Sequence, residues 1–208
     1  MTAQKSNLTN AYRRELREKI LVAALDRFRK EGIKAVKMDS IARQLSISKR
    51  TLYEIYDNKE DLLFECVRYH DRLFEQTLQQ QLSPESSVMD ILFSFMRLHV
   101  EEYSKTNPQF YSELYKYPKV MGYIKERNEK SQGRSIGFMH RGVEEGFFLR
   151  EVNYEIVNLM AEVFVRYIMD NELYKRFSMK DLIHNVIFVM LRGFCTEKGV
   201  RLIDQFDF

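Results

Sequence analysis

The sequence predicts an all-α fold of about nine helices, a small three-helix head followed by a larger helical body. Three observations lead there. Apolar residues recur at spacings of three and four almost throughout, and no run of strand-like alternation interrupts them. The three prolines, Pro84, Pro108 and Pro118, all fall between periodic segments. A polar break at Ser83-Pro84-Glu85-Ser86 divides the periodic pattern into an earlier and a later part. With 208 residues, 45% of them apolar, the chain is long enough to bury a sizeable core.

The first helix is expected over 13–30, with Leu16, Ile20, Leu21, Ala24, Leu25 and Phe28 on one face and Gly32 as its stop. A second, over 38–45, turns Ile41 and Leu45 inward and places small Ala42 at a close crossing. Ser46-Ile47 makes the turn, and Ser48 caps a third helix over 49–56 with Leu52 and Ile55 inward. Asn58 caps a fourth helix reaching about 81. Further helices are expected over 87–105, from Asn107-Pro108 to Tyr117-Pro118, and over 119–145. Asn153 caps a helix over 154–174, and Ser178 caps a last one reaching 198 before Gly199. The segments group into a disordered leader over 1–12, a head over 13–57, a connecting helix over 58–82 and a body over 83–208.

Charge is distributed unevenly. Residues 1–60 hold 14 Lys/Arg against 8 Asp/Glu, a net +6, whereas the rest of the chain is at −3. A basic head on a mildly acidic body fits a polyanion-binding element; chance clustering on a solvated face is the plainer alternative, against which the asymmetry weighs modestly. In the leader, Lys5 is the only base before Arg13, so a basic arm is not the first expectation there.

Within the head, Lys49 and Arg50 open the third helix and Lys59 opens the fourth. The positive end of a helix dipole disfavours a base by roughly 0.3–1 kcal/mol each. Three such placements within a short stretch point to a functional demand. Bases at the front of a recognition helix can reach guanine O6 and N7 in the major groove. A lysine beside a helix N-terminus strengthens a phosphate site, Thr51 can meet a thymine methyl or a phosphate, and the Tyr53 and Tyr56 hydroxyls can reach phosphates. Three exposed bases on a solvated surface is the plainer alternative.

Gly32, Asp39-Ser40-Ile41-Ala42, Leu45-Ser46-Ile47-Ser48, Thr51-Leu52-Tyr53 and Asn58-Lys59-Glu60-Asp61-Leu62-Leu63 together resemble the DNA-binding head of TetR-type transcriptional regulators. The resemblance covers residues 13–63. It implies a helix-turn-helix DNA-binding domain in which Lys49, Arg50 and Thr51 face bases, while Tyr53, Lys59 and the start of the second helix near Lys37 contact phosphates. Ser48 and Tyr56 complete the candidate DNA-binding set. Ser46 stands where the family usually has a turn glycine, and Val36 where it often has threonine. The resemblance further implies a helical ligand-binding and dimerisation domain, and hence a cytoplasmic bacterial-type homodimeric regulator. Such a protein would be a repressor released from a near-palindromic operator on double-stranded DNA by a small-molecule effector. A helical protein-interaction adaptor with a basic head and no specific operator is the alternative.

The body supports that layout independently. The last expected helix is apolar almost all round, so it needs covering on two sides, and the one before it carries a long apolar stripe. Ile156, Met160, Phe164 and Ile168 with Ile183, Ile187, Met190 and Phe194 are the candidate dimer interface, as two helices from each of two subunits. A single core helix in a monomer would carry the same pattern. Aromatics and a few polar groups (Phe95, His99, Tyr103, Phe110, Tyr111, Tyr115, Phe138 and Arg166) are candidates for a site binding a small hydrophobic or aromatic effector, although aromatics at helical spacing also make ordinary core.

The motifs of hydrolases, P-loop proteins, zinc proteases and dinucleotide-binding folds are lacking, and the four histidines share no ligand spacing. No enzyme activity, metal or cofactor is therefore expected. Cys66 and Cys195 suit buried thiols rather than a disulfide framework. No apolar run is long enough for a membrane span or a signal peptide.

Overall fold

The computed structural model describes residues 2–206, with side chains from Ala11 onward except those of Gln132, Met169, Met179 and Ile183. In order the helices are α1 (Thr2–Glu31), α2 (Met38–Gln44), α3 (Lys49–Tyr53), α4 (Lys59–Gln80), α5 (Val88–Ser104), α6 (Pro108–Leu114), α7 (Pro118–Glu144), α8 (Tyr154–Asp170), α9 (Met179–Leu182), α10 (Val189–Phe194) and α11 (Glu197–Gln205). A 3₁₀ turn, Leu173–Lys175, follows α8, and a π-helical stretch, Ile183–Phe188, joins α9 to α10. The fold is all-α; among the described residues the β structure amounts to one isolated bridge, Phe148 to Cys195.

Two compact units form. The first is Met1–Leu73 together with Gln109–Gly122. Its core sets Leu16, Ile20, Ala24 and Phe28 of α1 with Ile41 and Ala42 of α2, Leu52 of α3 and Leu62, Leu63 and Cys66 of α4, all buried. Gly32 ends α1 with φ +85, a left-handed conformation that glycine adopts without a Cβ clash, and its N–H returns to the Phe28 carbonyl at 3.0 Å. Val36 and Ile41, both fully buried, flank the start of α2 at the spacing of a hydrophobic staple. That burial explains valine where a capping threonine is common.

Residues 109–122 belong to this unit, although they fall within the body expected over 83–208. The connections are polar and specific. The Lys34 N–H donates to the Glu113 carboxylate at 2.7 Å. The Lys119 N–H donates to the Glu60 carboxylate at 3.1 Å, and its ammonium pairs with Asp61.

The second unit is Phe74–Pro108 with Tyr123–Phe208. Ser87 and Asp90 cap α5 reciprocally, as a capping box. The core gathers Val88, Met89 and Met96 of α5 with Phe147, Phe148, Tyr154, Leu191, Phe194 and Ile203. Gly142 lets the Phe148 ring lie where any Cβ would sit, 2.0 Å away.

Helix boundaries differ from expectation at both ends of the chain. α1 opens at Thr2, within the stretch expected as a disordered leader; neither proline nor glycine stands between Thr2 and Arg13 to stop it. The expected helix over 154–174 stops at Asp170, and Glu172 turns left-handed at φ 51. The expected helix over 178–198 breaks at Cys195, which is extended, because the flanking backbone bonds elsewhere. The Leu149 N–H reaches the Phe194 carbonyl and the Thr196 N–H reaches the Phe147 carbonyl, both at 2.9 Å. Thr196 then caps α11, and Gly199, read as a stop, lies inside it. A Cβ there would stand 2.6 Å from the Phe147 carbonyl oxygen, so the glycine serves close packing rather than termination.

Candidate nucleic-acid interface

The α2–α3 turn is fixed by backbone geometry. After α2, Leu45 is the C-cap and Ser46 adopts φ 54. The Ser46 N–H bonds to the Arg43 carbonyl at 3.1 Å, and the Ile47 N–H to the Ala42 carbonyl at 3.0 Å. Those two bonds make a Schellman motif, with Ser46 in the left-handed place that glycine usually takes. Ser48 then caps α3: its Oγ accepts from the Thr51 N–H at 3.0 Å and lies 2.8 Å from the Thr51 hydroxyl. Leu52 is fully buried, so the rest of α3 faces outward.

Lys49, Arg50 and Tyr53 are on the outward side of α3, and Lys37 is exposed at the N-cap of α2. The Lys49 ammonium pairs with Asp39, tying α3 to α2. Arg50 is more open than Lys49, its side chain 88% exposed against 64%, with Nε donating to Glu54 at 2.9 Å. The Glu54 hydrogen bond and charge raise the guanidinium pKa further, so Arg50 stays cationic. Exposed pairs of this kind are screened by water and stabilise little, so an acceptor on a nucleic acid can replace either carboxylate at small cost. Ser48 and Thr51 are occupied largely with each other.

Two expected phosphate contacts are corrected. Tyr56 is only 3% exposed; its ring lies beneath the Arg17 guanidinium at 5.7 Å, and burial pushes its hydroxyl up to about 12. A hydroxyl so buried is not available to a phosphate. Lys59 sends its ammonium inward instead, donating to the carbonyls of Ile33 at 2.7 Å, Val36 at 2.9 Å and Lys34 at 3.3 Å. The loop after α1 leaves those carbonyls outside any helical ladder, and an ammonium has three protons to satisfy them. Burial lowers the Lys59 pKa, partly offset by the Glu113 charge. A base at the start of α4 is thus explained by the α1–α2 loop. The α4 terminus itself is served by Asn58, whose Oδ1 accepts from the Asp61 N–H at 2.9 Å, and by the acidic Glu60 and Asp61 in its first turn.

The effector candidates are divided. Phe95, His99 and Tyr103 of α5 meet Phe74 of α4: the His99 ring is 4.5 Å from Phe74, 4.3 Å from Phe95 and 5.8 Å from Tyr103. Phe74 was missed because helical spacing gives the face of one helix and not which helix it meets. Phe138 packs at the edge of the second core, 6.5 Å from Phe148. Phe110 is buried against Tyr111 in the first unit, which also holds exposed Tyr115. Arg166 is exposed on α8.

The dimer candidates also separate. Ile156, Met160 and Phe164 are exposed on α8, together with Leu159, Val163 and Tyr167; exposure in this stripe runs from 38% at Phe164 to 64% at Val163. Ile168 and Phe194 are corrected to internal core. Ile168 packs with Tyr174 and Leu182, and Phe194 meets Phe148 and Tyr154 edge-on at 5.3 and 5.8 Å. Ile187 leans on the second core and Met190 is half-buried; the Ile183 side chain lies outside the described residues. Cys66 and Cys195 are free, buried thiols. Among the described residues no group of metal-ligating side chains forms, and no helix is long and apolar enough to cross a membrane.

A Schellman turn, a serine-capped second helix and outward bases make up a helix-turn-helix. Residues 20–66 match the family described as bacterial regulatory proteins, tetR family. An uncharacterized HTH-type transcriptional regulator, YxaF of Bacillus subtilis (strain 168), is 28% identical over 95 residues, which are 45% of this chain and 50% of that protein. The matched region thus spans half the length of that relative. Among solved structures, a protein of Saccharomonospora viridis described as a transcriptional regulator, in complex with choline, superposes with a TM-score of 0.70 at 16% identity, over 88% of this chain and 99% of its own. A TetR-family transcriptional regulator from Marinobacter aquaeolei VT8 gives 0.67 at 16%, over 91% and 96%. The fatty acid degradation regulator FadR of Bacillus halodurans gives 0.63 at 17%, over 84% and 94%. The family match thus rests on residues 20–66, and the solved structures, at 16–17% identity, show a shared fold.

Proposed function

We propose that the protein is a dimeric repressor that binds a near-palindromic operator and leaves it when a small molecule binds the body. The observation that carries the DNA half of this reading is the presentation of α3: Leu52 anchors it, Ser48 caps it, and Lys49, Arg50 and Tyr53 face outward beside Lys37. Arg50 and Lys49 suit base edges; Lys37 and Tyr53 suit phosphates. Residues 13–57 then act as the DNA-binding domain, joined through the helix of 58–82 to a regulatory and dimerisation domain over 83–208.

Dimerisation is supported by the α8 stripe. Ile156, Leu159, Met160, Val163, Phe164 and Tyr167 repeat at helical spacing and stay exposed in one chain. An apolar stripe of that length marks an interaction surface, and a two-fold axis through it makes one patch serve both partners. The Phe74–Phe95–His99–Tyr103 cluster supports a compact apolar or organic-cation effector, since aromatic faces and one imidazole can hold either. The choline bound by the Saccharomonospora protein is in keeping with that chemistry. Release follows if the effector binds the DNA-incompetent state more tightly than the other.

The test is binding to duplex DNA from upstream of the protein's own gene, across salt. Arg50→Ala is expected to weaken binding by about 1–3 kcal/mol and to relax base preference; Lys37→Ala weakens all sequences alike. Equal, sequence-independent losses for both would refute base reading by Arg50, and no preference for any duplex would favour the adaptor reading. Val163→Glu should convert a dimer into a monomer by light scattering. Choline and a medium-chain fatty acid are the first effector probes, read as release of the bound duplex.

A further inference from the structure

The removal of Tyr56 and Lys59 from the DNA-facing set leaves Tyr53 as the one expected phosphate contact at the end of α3. One turn of α1 stands beside that region. Arg17 lays its guanidinium over the Tyr56 ring at 5.7 Å, and Tyr56 follows shortly after the last residue of α3. Arg13 lies one turn earlier on the same face of α1, about 6 Å along the axis, with Arg14 next to it. All three are exposed.

The absence of a carboxylate partner, with Arg17 meeting only the Tyr56 side chain among the described residues, sets them apart from other cations of the same helix. Lys19 pairs with Glu15 at 2.7 Å, Arg27 with Glu31 at 2.6 Å and Lys30 with Asp26 at 2.8 Å. Glu18 accepts from the Tyr69 hydroxyl at 3.4 Å. Among the described residues no carboxylate lies within ion-pair distance of Arg13, Arg14 or Arg17. Like charges at i and i+4 destabilise a helix, so Arg13 and Arg17 oppose folding slightly where they stand. The helix runs back to Thr2, so this turn is helix interior and not a leader. Arginine is also the base best suited to phosphate, with a planar fork that binds two oxygens at once and a weakly held hydration shell.

We propose that the Arg13–Arg17 turn of α1 is a phosphate-binding element that grips the DNA backbone alongside the groove entered by α3. The Tyr56 ring fixes Arg17 from behind, and Arg13 extends the contact along the strand. The element carries no base information; it adds affinity, salt dependence and footprint. This inference rests on the reading that α3 enters the major groove.

The experiment measures binding of the full chain to an upstream duplex and to a random-sequence duplex of equal length, each across salt. Arg13→Ala with Arg17→Ala is expected to lower the slope of log K against log salt by about 3.6, for two contacts in each of two subunits. Both duplexes should lose affinity by the same factor. Ethylation interference should lose signal at phosphates flanking the half-site, and Arg13→Ala alone should give about half the slope change. An unchanged slope in the double variant, with Arg50→Ala still relaxing base preference, overturns the proposal. So does a lower melting temperature with the slope intact, which would make Arg17 a prop for Tyr56; Arg13→Ala, at a residue with no ion pair among the described residues, keeps the test independent of that role. If the slope falls but Arg50→Ala leaves base preference untouched, the α3 reading fails and the α1 element stands as non-specific phosphate binding.

Discussion

Replacing Ser46 by glycine should stabilise the protein. Ser46 sits at φ 54 in the turn between α2 and α3. A side chain in that conformation brings Cβ against the following carbonyl and costs about 1–2 kcal/mol. Glycine removes that clash but has more freedom to lose on folding, about 0.5–1 kcal/mol. Ser46 is exposed, and its backbone bonds, from its own N–H and that of Ile47, survive the change. The net gain is therefore about 0.5–1 kcal/mol. For a chain of this size that raises the melting temperature by about 1–4 °C. Ser46→Val, β-branched in the same conformation, should lower stability by at least about 1 kcal/mol. Thermal denaturation followed by circular dichroism reads both variants, and hydrogen exchange at the Ile47 amide reports the turn directly. If the glycine variant melts no higher and the valine variant no lower, Ser46 does not hold a left-handed turn in solution, and the geometry of α3 must be reconsidered.

Lys59→Met should cost about 1–3 kcal/mol, because three loop carbonyls lose a charged donor. Its salt slope for DNA should match the unmodified protein's; a lower slope would restore Lys59 as a phosphate contact. Tyr56 has its hydroxyl raised from an ordinary 10.0 to about 12 by burial, so the folded state keeps a proton the unfolded chain releases. Its contribution is complete below pH 10 and is lost as pH rises towards about 12; Tyr56→Phe should flatten that alkaline decline in urea-unfolding stability. Gly199→Ala should destabilise by about 1–3 kcal/mol, since the new Cβ would stand 2.6 Å from the Phe147 carbonyl oxygen; an unchanged unfolding midpoint would mean that α11 packs less closely.

Local signals carried much of the fold. Gly32, Ser48, Asn58, Asn153 and Ser178 each stop or cap a helix as their residue types suggest, because capping is a matter of one side chain and the nearest few amides. What escaped depends on contacts distant in sequence. The break at Cys195 follows from hydrogen bonds to residues 147 and 149, while the apolar periodicity runs straight through it. Residues 109–122 join the first unit through Glu113 and Lys119, whose partners lie far upstream. At the candidate site, α3 and its outward bases were legible. Lys59 stands out in the sequence as an unusual helix start, but its reason does not, since the Ile33, Lys34 and Val36 carbonyls come into reach only after folding.

The inward ammonium of Lys59 has a consequence for genetics. In a cell carrying a reporter for the proposed repressor function, substitutions at Lys59 and at Arg50 would score alike, as loss of repression. Their causes differ: Arg50 variants should accumulate to normal levels and fail at the operator, whereas Lys59 variants should be depleted by quality control, since a loss of 1–2 kcal/mol can change abundance several-fold. Immunoblotting beside the reporter separates the two. A saturation screen scored on expression alone would draw the DNA-binding surface too large, and its excess would trace the α1–α2 loop.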